Sequence, residues 1–151
     1  MTAIIELLAS CEETVSQLYR EYSKKFPELK DFWLDLAGDE IEHARLIRRL
    51  GLNIPAGNAS FDEGAIKISS VHLFHDYLSE QIRLTEKEPM PLVKALSIAL
   101  NIEKSILEAK YFEHFRGYTD ETKDCIHRLI EENNHHRDKV QKHWEEYRKY
   151  S

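Results

Sequence analysis

Apolar residues recur at helical spacing in the first third of the chain and predict two long helices. The first runs from about residue 4 to 26, where Pro27 ends it, and the second runs from about 28 to 50, with Gly51 as its expected end. The apolar positions are Ile5, Leu8, Val15, Tyr19, Tyr22, Leu29, Phe32, Trp33, Leu36, Ile47 and Leu50. Because so short a connection joins the two helices, we expect an antiparallel hairpin.

The stretch from residue 51 to 91 separates this hairpin from the rest of the chain. Residues 51–64 collect Asn, Pro, Gly and Ser without periodicity, so we expect a loop there. Ser69 or Ser70 is a suitable cap for a short helix, which the segment Glu88-Pro89-Met90-Pro91 would end. The whole stretch is therefore predicted to be a long crossover that contains a short helix.

The last third of the chain predicts a second hairpin. Its first helix runs from about residue 92 to 116 and is expected to end at Gly117. Thr119 or Asp120 then caps a last helix, from about 121 to 147, whose apolar pattern is the least regular of the four.

Together these elements predict one all-α domain over residues 1–151, a four-helix bundle of two antiparallel hairpins (about 4–50 and 92–147) joined by the crossover. The hydrophobic content of 42% suits a single core, and 5 Gly and 4 Pro are few enough for long helices. A formal charge of -6 disfavours nucleic acid as a partner. No apolar run approaches the ~20 residues of a membrane span, and the N-terminus lacks the basic start of a signal peptide, so we expect a cytoplasmic protein without a membrane partner.

The apolar face of each helix of the first hairpin carries a carboxylate. Glu12 follows Leu8 by one turn and precedes Val15 by about one turn, so its side chain should point into the core. On the second helix, Glu40 and His43 lie one turn apart on the face predicted to be buried.

The second hairpin repeats this arrangement. Glu103 lies within the apolar stripe of the third predicted helix, and Glu132 and His135 form a second Glu-x-x-His one turn after Leu129. The register of the last helix leaves an alternative open, because His136 could replace His135.

The repeated spacing favours a metal centre. Glu12 and Glu40 are 28 residues apart, and Glu103 and Glu132 are 29 apart. Four buried carboxylates would repel one another unless cations neutralise them, and two divalent ions would do so while also binding two imidazoles. Bridging carboxylates with imidazoles suit a pair of iron or manganese ions better than structural zinc, and we favour iron. The predicted metal ligands are Glu12, Glu40, His43, Glu103, Glu132 and His135.

The chain also resembles a known family, the rubrerythrins and their ferritin-like relatives. The resemblance lies in Glu12, Glu40-Ile41-Glu42-His43, Glu103 and Glu132-Asn133-Asn134-His135, and it covers nearly all of the four main helices. It implies a ferritin-like bundle with two irons. It also implies that Tyr19 and Tyr111 lie near the metals and orient ligating carboxylates.

Two departures from the family change what the resemblance implies. Rubrerythrins proper end in a rubredoxin domain with four Cys, and this chain stops at Ser151 without one, so we expect a separate electron-donor protein. Ile106 stands one turn after Glu103, where rubrerythrins proper carry a further Glu. The site therefore resembles the four-Glu, two-His centre of bacterioferritins more closely than the centre of rubrerythrins proper.

The site and the resemblance predict a di-iron oxidoreductase of the peroxidase or ferroxidase type, in which ferrous iron reacts with peroxide or dioxygen. Glu40 and Glu132 are the expected bridges between the two ions. By resemblance, the protein is expected to form a homodimer. The alternatives are an iron-binding or iron-buffering protein without turnover and a metal-free helical interaction module.

Overall fold

Helices dominate the computed structural model, which describes residues 2–150. Five α-helices lie in that range: α1 (Ala3–Lys25), α2 (Lys30–Asn53), α3 (Ile68–Lys87), α4 (Leu92–Ala109) and α5 (Asp120–Arg148). Between them lie the strands β1 (Ala59–Phe61) and β2 (Phe115–Gly117) and the 3-10 turns Pro27–Leu29, Glu63–Ala65 and Tyr111–His114. The predicted all-α class is confirmed. None of the described helices is long and apolar enough to cross a membrane.

Helices α1 and α2 form the first predicted hairpin. Pro27 begins the 3-10 turn between them, where its missing amide hydrogen breaks no helical hydrogen bond. Late in α1, the ring of Tyr19 packs 5.5 Å from that of Trp33, early in α2. Early in α1, Glu6 forms a 2.7 Å ion pair with Arg48, late in α2. The two helices therefore run antiparallel along their whole length.

The sequence predicts that α2 ends at Gly51, but the helix continues past this residue. It continues to Asn53, and Gly51 lies buried inside its last turn. The left-handed conformation for which glycine is suited occurs instead at Gly57, with φ 82, in the turn that leads into β1. The prediction of a stop at Gly51 was therefore wrong.

The crossover contains a longer helix than expected. Helix α3 has 20 residues and begins at Ile68, with Lys67 at its N-cap position, so neither Ser69 nor Ser70 is the cap. It packs against α1. Its buried residues are Val71, Leu78, Ile82 and Thr85. This helix therefore covers the outer side of α1 and belongs to the core rather than to a loose connection.

Helix α4 is shorter than the predicted helix from 92 to 116. It ends at Ala109, because Lys110 adopts a left-handed conformation with φ 55. The chain then makes a 3-10 turn and enters β2, which pairs antiparallel with β1. The rings of Phe61 and Phe115 meet across this ribbon at 4.5 Å. The ribbon thus ties the crossover to the loop before α5.

Helix α5 begins with a capping box at Thr119, the first of the two predicted caps. The Thr119 hydroxyl accepts the Thr122 amide at 3.2 Å, and the Thr122 hydroxyl accepts the Thr119 amide at 3.1 Å. Helix α5 packs against α4 and also contacts α2. Tyr19 on α1 reaches Glu103 on α4 by a hydrogen bond. The inner faces of α1, α2, α4 and α5 therefore meet around one buried polar cluster.

Candidate metal centre

Four of the six predicted ligands lie together in this buried cluster. Glu12, Glu40, His43 and Glu103 are each at most 4% exposed. They come from α1, α2 and α4, and their side chains point between the helices, as the apolar stripes around them had predicted. Carboxylates this deeply buried are rare unless they are paired or bind a cation.

His136, not His135, joins them from α5. His136 is fully buried, whereas His135 is exposed. The buried residues of α5 include Leu129, Asn133, His136 and Val140. Their spacings of four, three and four residues are those of a single helix face. His136 lies seven residues after Leu129 and four before Val140, so both apolar residues place it on the buried face. This spacing could have selected His136 from the sequence.

Glu132 lies at the edge of the cluster rather than inside it. Its side chain is 27% exposed, and its Oε1 lies 2.9 Å from Nε2 of His43. Its other oxygen accepts a 2.6 Å hydrogen bond from Arg128. Glu132 therefore contacts the outer side of His43, while the inner side of that ring faces Glu40.

Asp39 binds His136 in the same way, although its own side chain is 45% exposed. Its Oδ2 lies 2.9 Å from Nε2 of His136. Nδ1 of His136 lies 2.8 Å from Oε1 of Glu40, and Nδ1 of His43 lies 3.4 Å from Oε2 of the same carboxylate. Each imidazole is therefore held from outside by one carboxylate and turns its other nitrogen towards Glu40, the arrangement common for metal-binding histidines.

Glu103 is held by two neutral donors. The Tyr19 hydroxyl donates to its Oε1 at 2.9 Å, and the Asn133 amide donates to its Oε2 at 2.8 Å. Tyr19 thus contacts a predicted ligand directly. Tyr111 does not, because it lies beyond the end of α4, with its ring 6.4 Å from that of Phe74, and no hydrogen bond joins it to a carboxylate within residues 2–150.

Glu12 has an unmet polar atom. Its Oε2 is buried and lacks a hydrogen-bond partner among the described residues, and it lies 3.9 Å from Nδ1 of His43. Such an orphaned oxygen is costly in a low-dielectric core, and a cation would satisfy it.

The pKa values of the cluster reflect the conflict between burial and charge. Burial, then the charge of Glu40, raise the pKa of Glu12 well above its usual value. Burial would also raise the pKa of Glu40, but its contacts with Glu12 and the imidazoles hold it well below the usual range. Burial lowers the pKa of His43 and His136, yet the surrounding carboxylates outweigh it and raise these values to about 9 and about 12. Protons thus occupy the positions that a metal ion would take.

The inner donor atoms fit a metal ion. One ligand atom from each of Glu40, His43 and His136 lies within 4.8 Å of the others, and Glu12 and Glu103 flank them. Carboxylate and imidazole donors together suit a first-row transition metal. The buried Glu40–His43–His136 group could therefore hold a metal ion, with Asp39 and Glu132 fixing the rings.

Comparisons with known proteins give no further guide to this centre. Searches against protein-family models, curated proteins and solved structures found no match. The likeness to rubrerythrins remains an expectation from the ligand pattern.

Proposed function

We propose that this protein is a ferritin-like di-iron oxidoreductase, which binds ferrous iron between α1, α2, α4 and α5 and reacts it with peroxide or dioxygen. One observation carries the proposal. Both buried imidazoles direct Nδ1 towards Glu40, while Asp39 and Glu132 hold Nε2 from outside. Two imidazole nitrogens, Glu40 and the unpaired Glu12 oxygen would thus all be available to an ion bound between them.

Each residue has a distinct part in the proposal. Glu40 is the central ligand, because its two oxygens face different imidazoles. Glu12 and Glu103 would each bind on one side of it. When bound, two ferrous ions would supply the two electrons that reduce one peroxide, with two protons, to two water molecules. A separate electron-donor protein would then restore the ferrous state.

The surrounding side chains keep this arrangement in place. The Asp39 and Glu132 carboxylates accept Nε2–H, so that Nδ1 of each ring can bind a metal once the metal has displaced its proton. Arg128 holds Glu132 through a hydrogen bond of 2.6 Å. Tyr19 and Asn133 fix both oxygens of Glu103. The chain therefore preorganises its ligands before any ion binds.

The test is the oxidation of ferrous iron under anaerobic loading followed by mixing with peroxide or dioxygen, recorded by stopped-flow absorption. The wild-type protein should oxidise iron much faster than buffer and consume repeated additions of peroxide when a reductant is supplied. Glu40→Gln and Glu12→Gln should lose the reaction. Glu13→Gln is the matched control, because Glu13 is the next residue on α1 but is exposed and paired with Arg48.

Other outcomes would assign other functions. Tight ferrous binding without faster oxidation would favour an iron-binding or iron-buffering protein. A Glu40→Gln variant that oxidises iron like the wild type would contradict the proposed centre. A stability unaffected by metals or chelators would point to a metal-free interaction module.

A further inference from the structure

The two halves of the centre match position for position in the folded chain. Asp39 on α2 binds Nε2 of His136 on α5, and Glu132 on α5 binds Nε2 of His43 on α2, both at 2.9 Å. Each of these carboxylates lies four residues before the histidine of its own helix. The equivalent pairs are Asp39 with Glu132, Glu40 with Asn133, and His43 with His136.

This correspondence exposes a difference in charge at the middle of the site. Glu40 brings a carboxylate between the two imidazoles, whereas its counterpart Asn133 brings a neutral amide. Resting on the proposed function, we infer that the centre holds one divalent ion tightly and a second only weakly, because Asn133 stands where the repeat would place a second bridging carboxylate.

The first ion has a complete set of donors. One ligand atom from each of Glu40, His43 and His136 lies within 4.8 Å of the others, close enough for one ion to reach all three. The free Oε2 of Glu12, 3.9 Å from Nδ1 of His43, is a fourth donor on the same side. The carboxylates of Glu12 and Glu40 balance the charge of one divalent cation.

The second ion would have fewer charged donors. On its side lies Glu103, whose two oxygens are oriented by Tyr19 at 2.9 Å and by Asn133 at 2.8 Å. Each oxygen keeps a lone pair for an ion, but Glu103 is the only buried carboxylate among the described residues that is left for this second ion. Asn133 offers only a neutral amide oxygen, a weaker metal ligand than a carboxylate.

The charge balance of the core leads to the same conclusion. Among the described residues the buried carboxylates are Glu12, Glu40 and Glu103, with three negative charges when ionised. One divalent ion leaves one negative charge, and two leave one positive charge in a site shielded from water. The two edge carboxylates are left out of this count, because Arg128 pairs with Glu132 and because the side chain of Asp39 is 45% exposed to water. A carboxylate at position 133 would bring the charge of a two-ion site to zero.

The experiment is an anaerobic calorimetric titration of the metal-free protein with Co²⁺ and with Fe²⁺, followed by gel filtration and elemental analysis. For the wild type we expect one ion per chain to be retained and a second to bind at least about 30-fold more weakly. Asn133→Glu should reduce this difference at least about tenfold and retain two ions. Asn134→Glu is the matched control, because it adds the same charge one residue further along, on a side chain that bonds to the Ile130 carbonyl instead. It should behave like the wild type.

A second variant keeps the inference testable if Asn133→Glu does not fold, which a circular dichroism melt would show. Glu103→Gln should keep the tight ion, with its affinity changed less than about threefold, and lose the weak one. Two ions of equal affinity in the wild type, or loss of the tight ion in Glu103→Gln, would overturn the inference. A wild type that binds no ion would overturn the proposed function, and this inference with it.

Discussion

At the scale of single residues, the buried carboxylates differ in how their charge is met. Glu103 accepts two hydrogen bonds from neutral groups, Glu40 faces two imidazoles, and Glu12 keeps one oxygen without a partner in the described part of the chain. Buried polar atoms are seldom left unpaired. The Glu12 oxygen is therefore the atom of the cluster that a bound cation would satisfy most directly.

Tyr19→Phe should destabilise the protein through the loss of its hydrogen bond to Glu103. Removing one partner of a buried bond to a carboxylate costs about 1–3 kcal/mol. Urea unfolding of the metal-free protein measures the change. Tyr22→Phe is the control, because Tyr22 is equally buried on the same helix and makes no hydrogen bond to the described carboxylates. Equal losses in the two variants would contradict this role for Tyr19.

His136→Gln should weaken the tight metal site by at least about 10–100-fold, because it removes an inner nitrogen donor. His135→Gln should change the affinity less than about threefold, because His135 is exposed. Titration of the two variants with Co²⁺ gives the comparison. A larger effect at His135 would show that α5 has the other register.

The sequence could predict Glu12, Glu40, His43 and Glu103 because each lies in an unbroken apolar stripe. It could not place α5 equally well, since that helix carries few apolar residues and consecutive histidines. Helical periodicity could not predict the role of Asp39, because this role depends on a contact with His136 on another helix. Long-range pairings of this kind appear only when the helices are packed.

At the scale of elements, the helices were easier to predict than their ends. Pro27 and Thr119 act locally, and both predictions agree with the structure. The end of α4 lies instead at Lys110, which adopts a left-handed conformation although it is not a glycine. The apolar spacing after Lys110 would allow the helix to continue, so periodicity could not predict this end.

Gly117→Ala should destabilise the junction between β2 and α5. A Cβ at Gly117 would lie 2.7 Å from the Lys123 backbone nitrogen and 2.8 Å from Thr122, so the start of α5 would have to move. Overpacking of this kind costs about 1–3 kcal/mol. Gly38→Ala should instead raise the free energy of unfolding by about 0.5–1 kcal/mol. That position lies in α2, where alanine favours the helix, and nothing lies within 4 Å of the new methyl group. Thermal unfolding of both variants tests the pair, and a stabilised Gly117→Ala protein would contradict the packing described here.

At the scale of the whole molecule, the centre joins helices from both hairpins. Its proposed ligands come from α1, α2, α4 and α5, so an ion bound there would link elements that are distant in the sequence. Anything that binds only the folded state stabilises it, by about 2.7 kcal/mol at a ligand concentration of 100 times Kd. The fold and the metal affinity are therefore expected to be coupled.

Metal affinity should rise steeply with pH. Burial lowers the pKa of His43 and His136, but their carboxylate partners raise the values to about 9 and about 12, so both rings carry protons in the metal-free protein at neutral pH. A metal must displace these protons, and below pH 9 the loss of the two imidazole protons alone raises the affinity about 100-fold for each pH unit. Calorimetry between pH 6.5 and 8 in buffers of different ionisation enthalpy would measure the release. A pH-independent affinity would contradict the assignment of both rings as ligands.

The most direct test of the metal centre is anomalous X-ray diffraction from crystals of the protein loaded anaerobically with ferrous iron, with data collected on both sides of the iron edge. We predict a strong peak between α2 and α5, with Glu40, His43 and His136 donor atoms at about 2.0–2.3 Å. Anomalous peaks confined to surface carboxylates, with none near Glu40, would contradict the account.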